Sequence, residues 1–325
     1  MIITQTPLRI SFAGGGTDFE GFYRKDGGCV VSTAIDKYIY VIVKDRFDDK
    51  IRVGYSRTEM VDSVDEIEHE LVREAMRKVG IEKGIEIATM ADVPSEGSGL
   101  GSSSSVTVGL LNALYAYKGE FQSAEVLARD ACEVEINVLG KPIGKQDQYI
   151  AAYGGVRMFC FNSDGSVTVE TLSLADEQRR RLGESLMLFF TGTTRKSSVI
   201  LSEQQQNIEA RWAILDKMKA QAFDLRRRLE RGELRTLGRL MHEGWEHKKS
   251  LAGGISNCEI DRMYEAALEA GAVGGKVAGA GGGGFLLLYC APGEQEAVRR
   301  ALPELKELNF RLERDGTKII LNARR

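Results

Sequence analysis

A run of glycine and serine at residues 97–105 constrains this chain more than any other feature. It reads Gly97-Ser98-Gly99-Leu100-Gly101-Ser102-Ser103-Ser104-Ser105 and leads into an apolar segment. The glycines let the backbone approach a ligand closely, and the last four serines lie where a helix begins. The first turn of a helix offers free N–H groups and a positive dipole end to phosphate. Helix capping explains one serine but not four, so the run predicts a phosphate-binding loop. It is not a Walker A loop, because GxxxxGK[ST] does not occur.

The composition excludes several classes of protein. The chain has 325 residues, of which 43% are apolar and 28% charged, as in globular proteins. A net charge of −3 gives no reason to expect nucleic acid or a membrane surface as a partner. Five scattered cysteines without CxxC, beside three histidines, offer no zinc site and indicate reduced thiols in a cytoplasmic protein. No leader is recognisable and no apolar run is long enough for a bilayer. The oligomeric state stays open, a homodimer included.

The order of segments predicts an α+β protein of two domains, residues 1–182 and 183–325, divided at the polar stretch 176–183. In the first domain we expect strands at 2–12, 30–44, 51–55 and 85–90, a hairpin at 154–172, and helices at 65–79, 104–117 and 124–139. In the second we expect strands at 186–190, 276–278, 284–290 and 317–321, and helices within 198–249 and at 259–270 and 294–302. The second domain therefore reads as helices on a small antiparallel sheet.

A second glycine-rich segment covers residues 274–285. It satisfies GxGxxG formally, but a strand follows it where a dinucleotide-binding fold needs a helix. The HRD and DFG motifs of protein kinases are also missing. A turn at a sheet edge needs two or three glycines. The excess indicates backbone packed against a ligand or against another glycine loop.

Residues 133–148 contain acidic side chains near the end of one helix and another beside a lysine in the following loop. Such a set suits a metal ligand and a base. A solvated helix end would show the same pattern.

In the N-terminal segment, residues 7–19, a strand leads from Arg9 into a glycine turn that presents Thr17 and Asp18. Polar groups at such a transition suit the recognition of hydroxyl groups. A β-turn closed by an aspartate would look similar.

Taken in this order, the four segments resemble the GHMP kinases, which include galactokinase, homoserine kinase and mevalonate kinase. The resemblance extends from Pro7 to Phe285. Its most specific part is Pro94 followed by Gly99-Leu100-Gly101-Ser102-Ser103, and the glycines at 274–284 match the third family motif. It implies a ribosomal-protein-like N-terminal domain and a ferredoxin-like C-terminal domain.

The resemblance also implies roles for individual residues. The ATP phosphates would be wrapped by Gly97, Ser98, Gly99, Leu100, Gly101, Ser102, Ser103 and Ser104. Ser103 and Glu135 would hold Mg²⁺, and Glu133 is the rival ligand because the spacing to the next motif contains one extra residue. Asp147 would be the catalytic aspartate, with Arg9 and Lys145 available to keep it ionised.

The acceptor would lie at the other end of the cleft. The resemblance implies contacts from Arg9, Thr17, Asp18, Asp147, Gly281 and Gly282. Arg195, in the segment 193–198, is a candidate for binding a phosphate group on the acceptor. A capped helix start on the surface explains that segment equally well.

Two departures from the family pattern bear on the acceptor. The first motif is Gly-Gly-Gly-Thr-Asp-Phe where galactokinase has Gly-Glu-His-Thr-Asp-Tyr, which argues against galactose. The spacer from Pro94 to Gly99 is also longer than usual. Within the family the chain looks most like the heptose 7-phosphate kinases, and fucokinase-like enzymes share parts of the pattern. The family also contains a decarboxylase and non-catalytic sugar-binding regulators, and these remain alternatives.

Overall fold

The first half of the chain forms one large sheet. The computed structural model describes residues 1–94, 97–193 and 197–323. Strand β1 (Ile2–Ala13) pairs antiparallel with the long strand β2 (Gly28–Asp45). The second half of β2 pairs with β5 (Ile85–Ala91), and β3 (Ile51–Gly54) and β4 (Thr58–Val61) follow β5 in the sheet. The first half of β2 pairs with the hairpin β6–β7, made of Val156–Phe161 and Val167–Thr171.

Helix α3 (Ser102–Lys118) packs on this sheet and is buried along most of its length. At Gly109 an added Cβ would lie 2.7 Å from Thr6 Oγ1, so only glycine allows the helix to pack this closely on β1. The other helices of this half are α1, α2, α4 and α5, with bounds Glu20–Asp26, Glu70–Val79, Ala124–Cys132 and Gln146–Tyr153.

The second half builds a smaller antiparallel sheet of β8 (Leu186–Phe190), β9 (Gly274–Val277), β10 (Phe285–Tyr289) and β11 (Lys306–Glu307). Its spatial order, β11-β8-β10-β9, is that of a ferredoxin-like sheet. The helices are α6 to α11, with bounds Asp176–Glu184, Ser197–Gln206, Trp212–Glu230, Arg235–Lys249, Cys258–Glu269 and Gln295–Ala301. The predicted α+β class and its ferredoxin-like part are confirmed. None of the helices in the described residues has the length and apolar character needed to cross a bilayer.

Two predicted helices were wrong in extent. The polar stretch 176–183, for which no helix or strand was predicted, forms helix α6. Helix α2 begins at Glu70 instead of residue 65, because His69 caps it and a separate 3-10 turn, Val64–Glu66, precedes it. The predicted helix 124–139 changes at Glu133 into a π-helical segment, Glu133–Val138.

The last strand also departs from the expectation. Strand β12 (Lys318–Asn322) leaves the second sheet and pairs with β1 at the edge of the first. Leu225 and Leu229 of α8 share a hydrophobic core with Val30 and Val31 of β2. The two halves are therefore joined by a common core and by the returning strand, and the division at residue 182 stays a prediction.

Candidate active site

A cleft of about 440 Å³ lies where the glycine-rich segments of the two halves meet. Its walls come from the end of β1, the start of α3, the start of α5, the end of α9 and the turn between β9 and β10. The polar side chains that line it include Arg9, Asp18, Ser103, Asp147, Lys248 and Lys276.

The two glycine loops touch each other directly. Gly99 has a φ of +75°, and a Cβ there would lie 2.4 Å from the carbonyl oxygen of Ala278. A Cβ on Gly279 would in turn lie 2.6 Å from Gly99 Cα. Of the two explanations for the glycine excess at 274–285, close packing against another glycine loop is the one that the structure contains.

The serines that follow the first loop have separate environments. Ser102 is buried and shares a hydrogen bond with Ser98, Oγ to Oγ at 3.1 Å. Ser105 is also buried and donates to the Pro7 carbonyl at 2.8 Å. Ser103 is exposed toward the cleft. Every residue expected to wrap phosphate lines the cleft except Leu100, which is fully buried and accepts a hydrogen bond from the Arg9 N–H through its carbonyl.

Glu135 lies directly behind Ser103 and is fully buried. Its carboxylate accepts hydrogen bonds from Ser103 Oγ at 3.2 Å, Ser104 Oγ at 2.8 Å, Thr107 Oγ1 at 2.5 Å and Gln148 Nε2 at 2.6 Å. All four donors are neutral groups. They therefore stabilise the carboxylate by hydrogen bonds but contribute no positive charge to balance it.

Glu133, the rival of Glu135, points elsewhere. Its side chain is exposed and pairs with Lys78 at 2.6 Å. Both glutamates lie in the π-helical segment Glu133–Val138, in which Glu133 is exposed and Glu135 is fully buried.

The pair of Ser103 and Glu135 fits a magnesium ion that also binds a nucleotide. Mg²⁺ prefers oxygen ligands and usually takes only one or two carboxylates beside water and substrate phosphates. Within the described parts of the chain, no group of three or more His, Cys, Asp or Glu side chains is placed to hold a metal alone. An ion here would depend on phosphate oxygens for the rest of its ligands.

Asp147 and Arg9 form a bidentate ion pair in the cleft. Arg9 Nε donates to Oδ1 at 2.7 Å and Nη2 donates to Oδ2 at 2.6 Å. The third guanidinium nitrogen, Nη1, donates to the Gly99 carbonyl at 2.5 Å. One guanidinium therefore joins Asp147 to the first glycine loop. Asp147 was expected in a loop, but it occupies the first turn of α5.

Lys145 does not share in this ion pair. Its ammonium donates to the Gly165 carbonyl at 2.8 Å and lies 4.8 Å from the centre of the Tyr23 ring. Of the two cations expected to keep Asp147 ionised, only Arg9 is hydrogen-bonded to it. The expectation for Lys145 fails because the side chain is directed to the β6–β7 turn.

Asp18 lies in the cleft wall beside Asp147. It is buried and accepts hydrogen bonds from the backbone N–H of Gly16 at 3.0 Å and from Gln146, through N at 3.2 Å and Nε2 at 3.1 Å. Burial and, secondly, the charge of Asp147 raise the pKa of Asp18 above its ordinary value.

Other residues expected at the acceptor end have structural contacts instead. The Thr17 hydroxyl is fully buried in the turn. It lies within hydrogen-bond distance of the carbonyl oxygens of Gly14 at 2.8 Å and Cys29 at 2.9 Å, and it accepts a hydrogen bond from the Cys29 N–H at 3.0 Å. Gly281 lines the cleft, whereas the Gly282 N–H donates to the Ile255 carbonyl at 2.7 Å. Arg195 lies outside the described residues.

Sequence reasoning missed three lysines that line the cleft. Lys141 donates to Ser103 Oγ at 3.4 Å, and Lys248 and Lys276 are each only 6% exposed. The ammonium of Lys248 donates to the Gly279 carbonyl. Burial lowers the pKa of Lys276 to about 8 and that of Lys248 well below its usual value, and nearby cations add to both effects. One signal was available for Lys276, namely a single charge inside the strand-like run Gly274-Gly275-Lys276-Val277.

Comparisons with known proteins identify the family of the chain. Residues 56–155 match the model of the GHMP kinases N terminal domain, and residues 225–307 match that of the GHMP kinases C terminal domain. A D-glycero-alpha-D-manno-heptose 7-phosphate kinase of Campylobacter jejuni is 32% identical, over 93% of each chain. An L-fucokinase/L-fucose-1-P guanylyltransferase of Bacteroides fragilis is 27% identical over 91% of this chain but 35% of its own length. The crystal structure of a D-glycero-D-manno-heptose 1-phosphate kinase from Bacteroides thetaiotaomicron superposes with a TM-score of 0.83 at 28% identity, over 100% of both chains.

Proposed function

This chain belongs to the GHMP kinase family, and from that premise we propose that it phosphorylates D-glycero-D-manno-heptose 7-phosphate at the anomeric hydroxyl, using ATP. The product would be the 1,7-bisphosphate, a precursor for nucleotide-activated heptose and surface polysaccharide, made in the cytoplasm. At the coarser level the chain is a sugar kinase, a phosphotransferase with an alcohol group as acceptor.

The observation that carries the proposal is the guanidinium of Arg9, which binds both the carboxylate of Asp147 and the carbonyl of Gly99. It fixes a candidate base beside the loop that would hold the ATP phosphates. Phosphoryl transfer depends mainly on such positioning and on neutralising charge.

The chemistry would proceed as follows at this chain's residues. Backbone N–H groups of the loop and the first turn of α3 would bind the phosphate oxygens. Mg²⁺, held by Ser103 and Glu135, would neutralise phosphate charge. The acceptor oxygen would form its bond to the γ-phosphorus as the bond to the ADP oxygen breaks. Asp147 would take the hydroxyl proton, or orient the hydroxyl while the proton leaves to solvent.

Support for the heptose comes from the relatives. The Campylobacter jejuni protein is described as a heptose 7-phosphate kinase, and the Bacteroides thetaiotaomicron structure as a heptose 1-phosphate kinase. The two descriptions share the sugar and differ in the position of the phosphate. The fucokinase relative makes L-fucose the second candidate acceptor.

A coupled assay of ADP release tests the proposal. It would compare D-glycero-D-manno-heptose 7-phosphate, the corresponding 1-phosphate, the free heptose and L-fucose, each with ATP and Mg²⁺. We expect the highest kcat/KM with the 7-phosphate and phosphorus NMR signals of a 1,7-bisphosphate. A higher kcat/KM with L-fucose would replace the proposal by a fucokinase activity. If none of the four compounds leads to ADP release, the proposal is rejected.

A further inference from the structure

Two buried lysines of the cleft have no part in the mechanism above. Lys248 ends near the second glycine loop, where its ammonium donates to the Gly279 carbonyl. Lys276 lies on β9 opposite Leu287 of β10. Among the described residues its ammonium has neither a hydrogen-bond partner nor an ion pair, although the residue is 94% buried and lines the cleft.

The surrounding charges do not neutralise this pair. Arg9 and the two lysines are close enough to oppose one another's positive charge, and Asp18 and Asp147 are the carboxylates that favour it. The charge of Asp147 is already matched by the bidentate contact with Arg9. Asp18 is buried with N–H donors only and has a pKa that is itself raised. The Lys276 side chain lines the cleft without a hydrogen-bond acceptor from the described residues, and the nearby carboxylates do not match the charge of the two lysines. The pair therefore suits an anion bound in the cleft.

The position of the pair indicates what the ligand is. Gly279, which accepts the Lys248 hydrogen bond, packs on Gly99 of the expected phosphate loop. Lys276 lines the same cleft as Arg9 and Asp18, which belong to the expected acceptor end. The lysines therefore lie where the ATP phosphates and the acceptor would meet. Two ammonium groups beside a guanidinium suit a group that carries about two negative charges, as a phosphate monoester does near neutral pH.

We propose that Lys248 and Lys276, with Arg9, form a phosphoryl-binding site separate from the first glycine loop. Its ligand is a phosphate group, which comes either from the acceptor sugar phosphate or from the γ position of ATP. The choice of phosphate rests on the proposed function.

The test measures thermal protection by inorganic phosphate, so it needs no acceptor. Wild type, Lys248→Met and Lys276→Met are first saturated with Mg²⁺ and ADP, which fills the loop but leaves the γ position open. Lys249→Met is the matched control, because Lys249 is the next residue of α9 and pairs with Glu246 instead of lining the cleft. Lys276→Gln serves as a second variant if the methionine variant folds poorly.

We expect phosphate to raise the Tm of wild type and Lys249→Met, and its affinity to fall at least about tenfold in both cleft variants. Without phosphate, Lys276→Met should melt above wild type, since a buried charge has been removed. Repeating the titration with Mg²⁺ and a non-hydrolysable ATP analogue identifies the source. Protection that persists assigns the site to the acceptor's phosphate, and protection that disappears assigns it to the transferred group.

Equal protection of wild type and both cleft variants would overturn the site, as would a wild type that phosphate does not protect at all. Either result would leave the kinase proposal standing if ADP release with the heptose phosphate is observed. Conversely, a failed acceptor screen does not affect the phosphate titration.

Discussion

Glu135 and the lysine pair Lys248 and Lys276 are both buried charged groups near one cleft, but their surroundings are opposite. The carboxylate of Glu135 accepts four hydrogen bonds, whereas within the described residues Lys248 has one acceptor, the Gly279 carbonyl, and Lys276 has none. The first region is held in one geometry by the protein itself. In the second, the proposed phosphate group would supply the acceptors.

The two regions therefore differ in how the folded chain stabilises a buried charge. A carboxylate that accepts four hydrogen bonds from neutral donors keeps its negative charge, and a metal ion held by Ser103 and Glu135 would take the place of the hydrogen bond between them. Lysines left without acceptors favour an anion that supplies them. Between the two regions lies the pair of Arg9 and Asp147, in which the protein balances charge within itself.

The largest effect on activity is expected at the ion pair of Arg9 and Asp147. Asp147→Asn keeps the shape of the side chain but removes the proton acceptor, and kcat should fall by roughly 10²–10⁴-fold. Steady-state ADP release measures this, with Asp164→Asn in the exposed β6–β7 turn as the control. Turnover near the wild-type rate would show that Asp147 is not the base. An unchanged KM for ATP would place the loss in the chemical step.

The lysine region predicts an unusual dependence of stability on pH. The folded chain releases the Lys276 proton near pH 8, whereas the unfolded chain holds it to about 10.5. Between these values the unfolded state binds more protons, so stability rises with pH. Lys276→Met should be more stable than wild type by about 3 kcal/mol below pH 8, and this gap should shrink toward pH 10.5.

Urea unfolding of both proteins from pH 7 to pH 10 would measure the gap, with Lys249→Met as the control that shows none. A gap that is constant over this range would mean that Lys276 has an ordinary pKa. The charge of Lys276 would then be stabilised in the folded chain, as that of Glu135 is.

The carboxylate region can be tested with its two rival glutamates. Glu135→Gln removes the charge behind Ser103 and should raise the Mg²⁺ concentration for half-maximal activity by roughly 10–100-fold. Glu133→Gln should leave it unchanged, because Glu133 is exposed and pairs with Lys78. Titration of activity with Mg²⁺ distinguishes them. The reverse order of effects would assign the metal to Glu133.

The sequence was sufficient to predict most of the secondary structure, the α+β class, the family and the two loops that meet in the cleft. These features depend on local patterns, such as the serines at the start of α3 and Gly80 at the end of α2. The last strand was misplaced because a short apolar run at 317–321 does not specify its partner. Only the three-dimensional arrangement places β12 beside β1.

The acceptor end was harder to predict, for a physical reason. Lys248 belongs to a helix whose end carries several basic residues, and nothing local shows that it faces inward while Lys249 faces Glu246. Lys145 shows the opposite case. It lies two residues from Asp147 in the sequence, which predicted a contact between them, but its side chain donates to the Gly165 carbonyl instead. The direction of a long side chain depends on tertiary packing that its neighbours in sequence do not encode.

The last effect is a difference in stability between two matched glycine variants, and it concerns the contact between the two glycine loops. Gly99 belongs to the loop before Ser103, and Ala278 and Gly279 belong to the loop that accepts the Lys248 hydrogen bond. In Gly99→Ala the new methyl group would overlap the Ala278 carbonyl, in addition to the strain of a positive φ. Gly80→Ala is the matched control, because its φ of +73° is similar and no atom lies within 4 Å of the added Cβ.

We expect both substitutions to destabilise the chain by about 1–2 kcal/mol through the left-handed backbone. Gly99→Ala should add about 1–3 kcal/mol for the overlap. Urea unfolding measures the difference, and activity provides a second readout, since only Gly99→Ala should separate the loops and lower kcat/KM. Equal stability of the two variants would mean that the loops can move apart at no cost. The carboxylate and lysine regions would then be independent sites, not two walls held at a fixed distance.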